Sequence, residues 1–204
     1  MTPGNPSLYL LTCCLVATMG STASHAHEPG DWVVRGGFHH ISPKSNNSDI
    51  VDVKSDTMLT FNVLYMLNGN WGVELLAALP FEHDIALVDG PTVASTKHLP
   101  PTLSVVYHFL PDGAIQPYLG AGLNVTLFFD ESTKGALAGT NLSLDNSVGA
   151  AAVFGVDVAL GSNWFLNADV RYLDIETDAK LDGAKLGTVK IDPWAFGLNL
   201  AYRF

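Results

Sequence analysis

The chain has 204 residues, enough for one domain, and its 10 Lys and Arg stand against 20 Asp and Glu for a net charge of −10. That balance excludes the basic footprint of a nucleic-acid binder. Only 15% of residues are charged, yet no apolar run after residue 20 reaches the ~20 residues of a membrane helix, so the apolar residues must alternate along strands or fill a core.

Residues 8–19 (LYLLTCCLVATM) form a short apolar stretch, and Ser24-His25-Ala26 resembles an A-x-A cleavage site. Residues 1–26 are therefore expected to be a secretory signal peptide and residues 27–204 the mature domain; an apolar helix docked on a soluble domain is the alternative. No Lys or Arg precedes Arg35, a departure from the usual basic start of a leader. Thr12 is bulky for the position before a lipidated Cys13. Cys13 and Cys14 both fall in the leader, which leaves the mature chain no disulfide or thiolate metal site.

Period-two alternation then recurs eight times. The first strand is expected at about 31–41, with Trp32, Val34 and Phe38 on one face and Arg35, Gly37 and His39 on the other. The second, about 57–67, sets Leu59, Phe61, Val63, Tyr65 and Leu67 on one face. The third, about 71–79, opposes Trp71, Val73, Leu75 and Ala77 to Glu74. The fourth, about 98–109, opposes Leu103, Val105, Tyr107 and Phe109 to Thr102, Ser104 and His108. The fifth, about 115–129, opposes Leu119, Ala121, Leu123 and Val125 to Gln116, Gly120, Gly122 and Asn124. The sixth, about 147–160, turns Val148, Phe154 and Val158 away from Asp157. The seventh, about 164–172, opposes Trp164, Leu166 and Val170 to Asn167, Asp169 and Arg171. The last, from about 189, opposes Trp194, Phe196, Leu198 and Leu200 to Asn199 and Arg203.

Three connections are tight turns, at 68–70, 111–113 and 161–163, and four are long and polar, at about 42–56, 80–97, 130–146 and 174–188. Short turns at one end and long loops at the other are the layout of an outer-membrane barrel, and lipid offers no partner to an open sheet edge. The expected fold is all-β: an eight-stranded antiparallel transmembrane up-and-down barrel with short periplasmic turns and four longer extracellular loops, in the outer membrane of a Gram-negative bacterium. A soluble lipocalin-like barrel, with apolar residues inward, is the competing arrangement. Arg35, Arg171 and Arg203 share the polar strand faces with Glu74, Asp157 and Asp169, so these lumen charges are expected to pair. Leu64, Met66, Leu76, Val106, Phe128, Val153 and Phe165 also face inward. Trp71, Trp164, Tyr65, Tyr107 and Phe109 lie at the short-turn end, where an aromatic girdle belongs.

Trp32-Val33-Val34-Arg35-Gly36-Gly37, Lys97-His98-Leu99-Pro100-Pro101-Thr102-Leu103, Gln116-Pro117-Tyr118-Leu119-Gly120-Ala121-Gly122-Leu123-Asn124, Asp192-Pro193-Trp194 and the closing Tyr202-Arg203-Phe204 together resemble the OmpW family over essentially the whole mature length. The resemblance implies a narrow barrel with a rather hydrophobic lumen that passes small hydrophobic molecules. The alternating aromatic last strand ending at Tyr202 and Phe204 resembles the signal read by the outer-membrane assembly machinery, through edge pairing before closure.

The leading reading is therefore a narrow channel for passive uptake of a small hydrophobic solute, in contact with outer-membrane lipid. The solute enters from the long-loop side and leaves short of the charged layer, or sideways where Pro100 and Pro101 remove ladder donors. A structural or surface-interaction barrel acting through its loops is the second reading. A lipid-modifying enzyme is the third, since His40-Ile41-Ser42 resembles the His-x-Ser pair of lipid A deacylases, although no orienting acid is nameable. His83 and Asp84 are neighbours on a strand and point opposite ways. His39, His98 and His108 lie on separate segments without metal-ligand spacing. No catalytic, cofactor or metal site is expected, and no nucleic-acid partner.

Overall fold

Alternation decides which face of each strand meets lipid, and the long strands of the computed structural model obey it. The structure describes residues 27–45, 47–48 and 51–204; the expected signal peptide lies outside the described residues. The strands are β1 (Trp32–Ser42), β2 (Val51–Val53), β3 (Asp56–Met66), β4 (Trp71–Ala78), β5 (Phe81–Leu87), β6 (Thr92–Leu99), β7 (Thr102–His108), β8 (Ile115–Thr133), β9 (Leu142–Leu144), β10 (Ser147–Ala159), β11 (Trp164–Leu173), β12 (Glu176–Leu181), β13 (Ala184–Lys190) and β14 (Trp194–Arg203). Eight of them pair antiparallel in the order β10-β11-β14-β1-β3-β4-β7-β8, and β8 returns to β10 to close the barrel. Val34 of β1, for example, sits between Tyr202 of β14 and Val63 of β3.

The outward faces carry exposed Phe38, Leu75, Leu103, Leu123, Phe154 and Leu198, while the inward set is buried. This is the reverse of a soluble barrel and the arrangement lipid requires. At the short-turn end, exposed tryptophans pair with tyrosines as Trp32–Tyr65, Trp71–Tyr107 and Trp164–Tyr202, with centroids 4.8, 4.9 and 4.8 Å apart. Inside, two glycines make room for side chains. A Cβ on Gly120 would meet Val106 Cγ1 at 2.6 Å and Val153 Cγ1 at 2.9 Å, and one on Gly155 would enter the ring of Tyr118.

Two expectations are corrected. The fourth strand is not continuous: it breaks at Pro100-Pro101 into β6 and β7, which pair with different stretches of β8. Proline donates no ladder bond, and the carbonyls of Pro100 and Pro101 instead accept from Asn124 Nδ2 at 3.1 and 3.4 Å. All four expected long loops also carry strands. The β5–β6 hairpin continues the wall upward, bonded to β2 and to the top of β8, and β13-β12-β9 form a separate small sheet. Above the membrane the outward face meets water, so the pattern inverts. In β5, Phe81 and Ile85 are buried while Glu82 and Asp84 are exposed.

Candidate functional site

The lumen is filled in levels. At the periplasmic end, Leu64, Met66, Val106, Val153 and Phe165 pack with Val33, Tyr118 and Ala201 into a closed apolar plug. These five are the inward apolar residues expected to line the lumen, and they lie below the charged layer. Leu76 is buried two residues above Glu74. Of that expected set, only Phe128 reaches the cavity at the extracellular end.

The charged layer spans the middle. Arg35 donates to Glu74 Oε2 at 3.1 Å and to Asp157 Oδ2 at 2.7 Å, and Arg171 donates to Glu74 Oε1 at 2.6 Å and Asp169 Oδ1 at 2.9 Å. Each acid thus meets a guanidinium at charge-assisted distance. Arg35 also lies 5.1 Å from the Tyr118 ring centroid. His39 bridges Thr60 Oγ1 at 2.7 Å and Asp169 at 2.9 Å, and Asn199 donates to Asn167 at 2.8 Å and Asp169 at 3.2 Å. Arg203 stands apart, near the lower rim, 3.8 Å from Asp31 and donating to the Ser162 carbonyl at 2.9 Å.

Above this layer opens a cavity of about 450 Å³, lined largely by apolar groups including Val51, Ile85, Phe128, Ala179, Val189 and Ile191. One wall is a ladder of rings: His83 and His98 stack at 4.9 Å and 12°, Phe81 and His98 at 5.5 Å and 21°, and His98 meets Phe128 at 5.8 Å. β5 and β6, which carry both histidines, rise above the apolar band. Burial pushes the His98 imidazole down to about 3, with the neighbouring His83 adding to the effect. Burial also lowers His83, whose Nδ1 donates to the Lys54 carbonyl at 2.5 Å. Both rings are neutral at pH 7, so the wall stays apolar in character.

Sequence reasoning missed this ladder and most of the cavity wall, because Val51, Ile85 and Ala179 sit in segments read as polar loops. The inverted alternation of β5 was the available signal. Of the other residues singled out, exposed His40 bonds through Nδ1 to Thr57 Oγ1 at 2.8 Å rather than to a carboxylate. His83 is buried and Asp84 exposed, facing apart. Tyr202 and Phe204 meet edge to face, with centroids 4.8 Å apart, on the lower rim.

The model of the OmpW family matches residues 28–204. Outer membrane protein W of Vibrio cholerae is 40% identical, over 93% of this chain and 96% of its own. The crystal structure of the outer membrane protein OprG from Pseudomonas aeruginosa superposes with a TM-score of 0.79 at 34% identity, covering 88% of this chain and 98% of that one. The solid-state NMR structure of outer membrane protein AlkL in DMPC lipid bilayers superposes with a TM-score of 0.67 at 25% identity, covering 100% and 97%. A more distant relative from Pseudomonas aeruginosa, 26% identical over 82% of this chain and 85% of its own, is named dibenzothiophene metabolism operon protein PahQ.

Proposed function

Because this chain belongs to the OmpW family and is an outer-membrane β-barrel, we propose that it takes up small hydrophobic molecules passively. The observation that carries this reading is the apolar cavity of about 450 Å³ at the extracellular end, set above a lumen closed by paired charges and an apolar plug. A cavity of that size suits one drug-sized or smaller ligand. Entry is from the loop side. The axial route beneath is blocked by groups whose ion pairs are costly to break, so exit is sideways, toward the bilayer, at the break between β6 and β7. The name of the dibenzothiophene-operon relative agrees with an apolar solute. No catalytic role is proposed, and the last strand, ending at Tyr202 and Phe204, serves as the assembly signal.

The test is uptake of a hydrophobic solute by cells expressing the chain. Phe128→Arg places a charge in the cavity wall and is expected to reduce uptake several-fold while the barrel still shifts on a gel after boiling. A folded Phe128→Arg barrel with unchanged uptake would overturn the reading. The second reading, a surface-interaction barrel, is favoured by the small β9-β12-β13 sheet, which stands above the membrane with Leu186 exposed. Shortening the β12–β13 hairpin would then abolish binding of a partner and leave uptake intact.

A further inference from the structure

At the end of the lumen opposite the cavity lies a group of side chains that uptake does not use. His27 precedes β1 and is 3% exposed, His108 at the end of β7 is 0% exposed, and Asp157 on β10 is 2% exposed. One donor atom from each lies within 4.8 Å of the other two. The His27 and His108 ring centroids are 4.8 Å apart, and His108 Nε2 stands 3.6 Å from Asp157 Oδ2. Neither ring nitrogen of His27 nor of His108 has a hydrogen-bond partner. Buried imidazoles normally satisfy at least one nitrogen, so these two are positioned for something that binds them together.

We propose that His27, His108 and Asp157 form a binding site for a divalent transition-metal ion of the zinc or copper class. Two imidazoles and one carboxylate are the ligand set such ions favour, whereas magnesium and calcium select all-oxygen sites. Tetrahedral zinc holds its donors about 3.3 Å apart, so the rings must close inward by rotation. The His27 ring that must turn lies ahead of the first barrel strand, buried between His108 and Phe165. Asp157 already accepts from Arg35 and from Asn167 Nδ2 at 2.9 Å, and a metal takes the lone pair of Oδ2 that remains.

Beside the site, Asp157 attracts a cation while Arg35 and Arg203 oppose it. The layer just above holds Glu74, Asp157 and Asp169 against Arg35 and Arg171, one carboxylate in excess. Arg203, at the same end, faces Asp31. If the expected cleavage follows Ala26, the α-amino group of His27 becomes free beside its own imidazole and adds a nitrogen donor. The three ligands come from positions 27, 108 and 157, so no short spacing announces them. Once bound, the metal ties the start of the mature chain to β7 and β10 and locks the plug.

The experiment uses the mature chain without an affinity tag, folded in detergent, freed of metal with a chelator and titrated with zinc chloride by calorimetry. One zinc ion per chain is expected. His27→Ala and His108→Phe should each weaken binding more than about 10-fold, while His40→Ala, on the outer face, leaves it unchanged. Absence of stoichiometric binding by the unmodified chain, or affinity in both ligand variants equal to that of the unmodified chain, overturns the proposal. Should either variant fail to fold, the copper(II) spectrum of the His40→Ala protein decides: nitrogen hyperfine structure supports the site, and an all-oxygen spectrum overturns it.

Discussion

A guanidinium in a lumen this narrow has no bulk water beside it, so each arginine is placed where acids already wait. Glu74 bridges Arg35 and Arg171, and its loss leaves each guanidinium a single carboxylate, Asp157 for Arg35 and Asp169 for Arg171. The sequence showed these charges because every one falls on the polar parity of its strand. It did not show which pairs with which, because Arg35 and Asp157 are 122 residues apart. The two cavity histidines carry a different consequence. The His98 imidazole is held down to about 3 against an ordinary value of 6.5, and His83 is lowered as well. The unfolded chain therefore binds more protons than the folded one between those values. Stability is fully present above about pH 6.5, falls as the pH drops toward 3, and levels off below. At pH 4.5 the penalty from His98 is on the order of 3 kcal/mol. Urea titrations at pH 7.5 and 4.5 should show this loss, and His98→Phe, which keeps a ring in the stack, should remove the share of the difference that His98 carries.

At the level of the strand, one periodic signal has two meanings. In the membrane, apolar residues mark the outside; in β5, beyond it, they mark the inside. The eight barrel strands were legible because their outward faces are continuously apolar. The extracellular strands were not, because Glu82, Asp84 and Glu176 are what a water-facing strand shows and also what a loop shows. Position along a strand therefore sets the cost of a charge. Leu123, 63% exposed on β8 within the apolar band, should cost about 2–4 kcal/mol on substitution to Arg. Leu186→Arg on β13, 53% exposed above the membrane, should cost close to nothing. Equal costs, measured by urea unfolding in lipid, would mean that the small sheet is also immersed.

Across the whole molecule, positive charge is sorted by type. Arg35, Arg171 and Arg203 are buried, while the side chains of Lys134, Lys185 and Lys190 are 54%, 56% and 53% exposed in the extracellular half. Trypsin applied to the folded protein should cut after those lysines and spare all three arginines until boiling opens the barrel, as peptide masses before and after heating will show. Early cleavage after Arg171 would mean that the wall is not closed. The family resemblance and the alternation made this closed wall readable in advance. The His27, His108 and Asp157 cluster stayed hidden because only closure brings its members together.

The length of β8 sets how far the cavity stands from the lipid. It keeps strand geometry for 19 residues, roughly 60 Å of chain and about 45 Å along the bilayer normal at the tilt usual for such barrels, against an apolar band of about 25 Å. The mouth is thereby carried into the zone of lipopolysaccharide sugars. Greasy compounds dissolve readily in acyl chains but poorly in a hydrated, cross-bridged saccharide coat. For an apolar solute of the kind proposed, the coat is the slow layer, and a tall rim would give it a dry foothold within it.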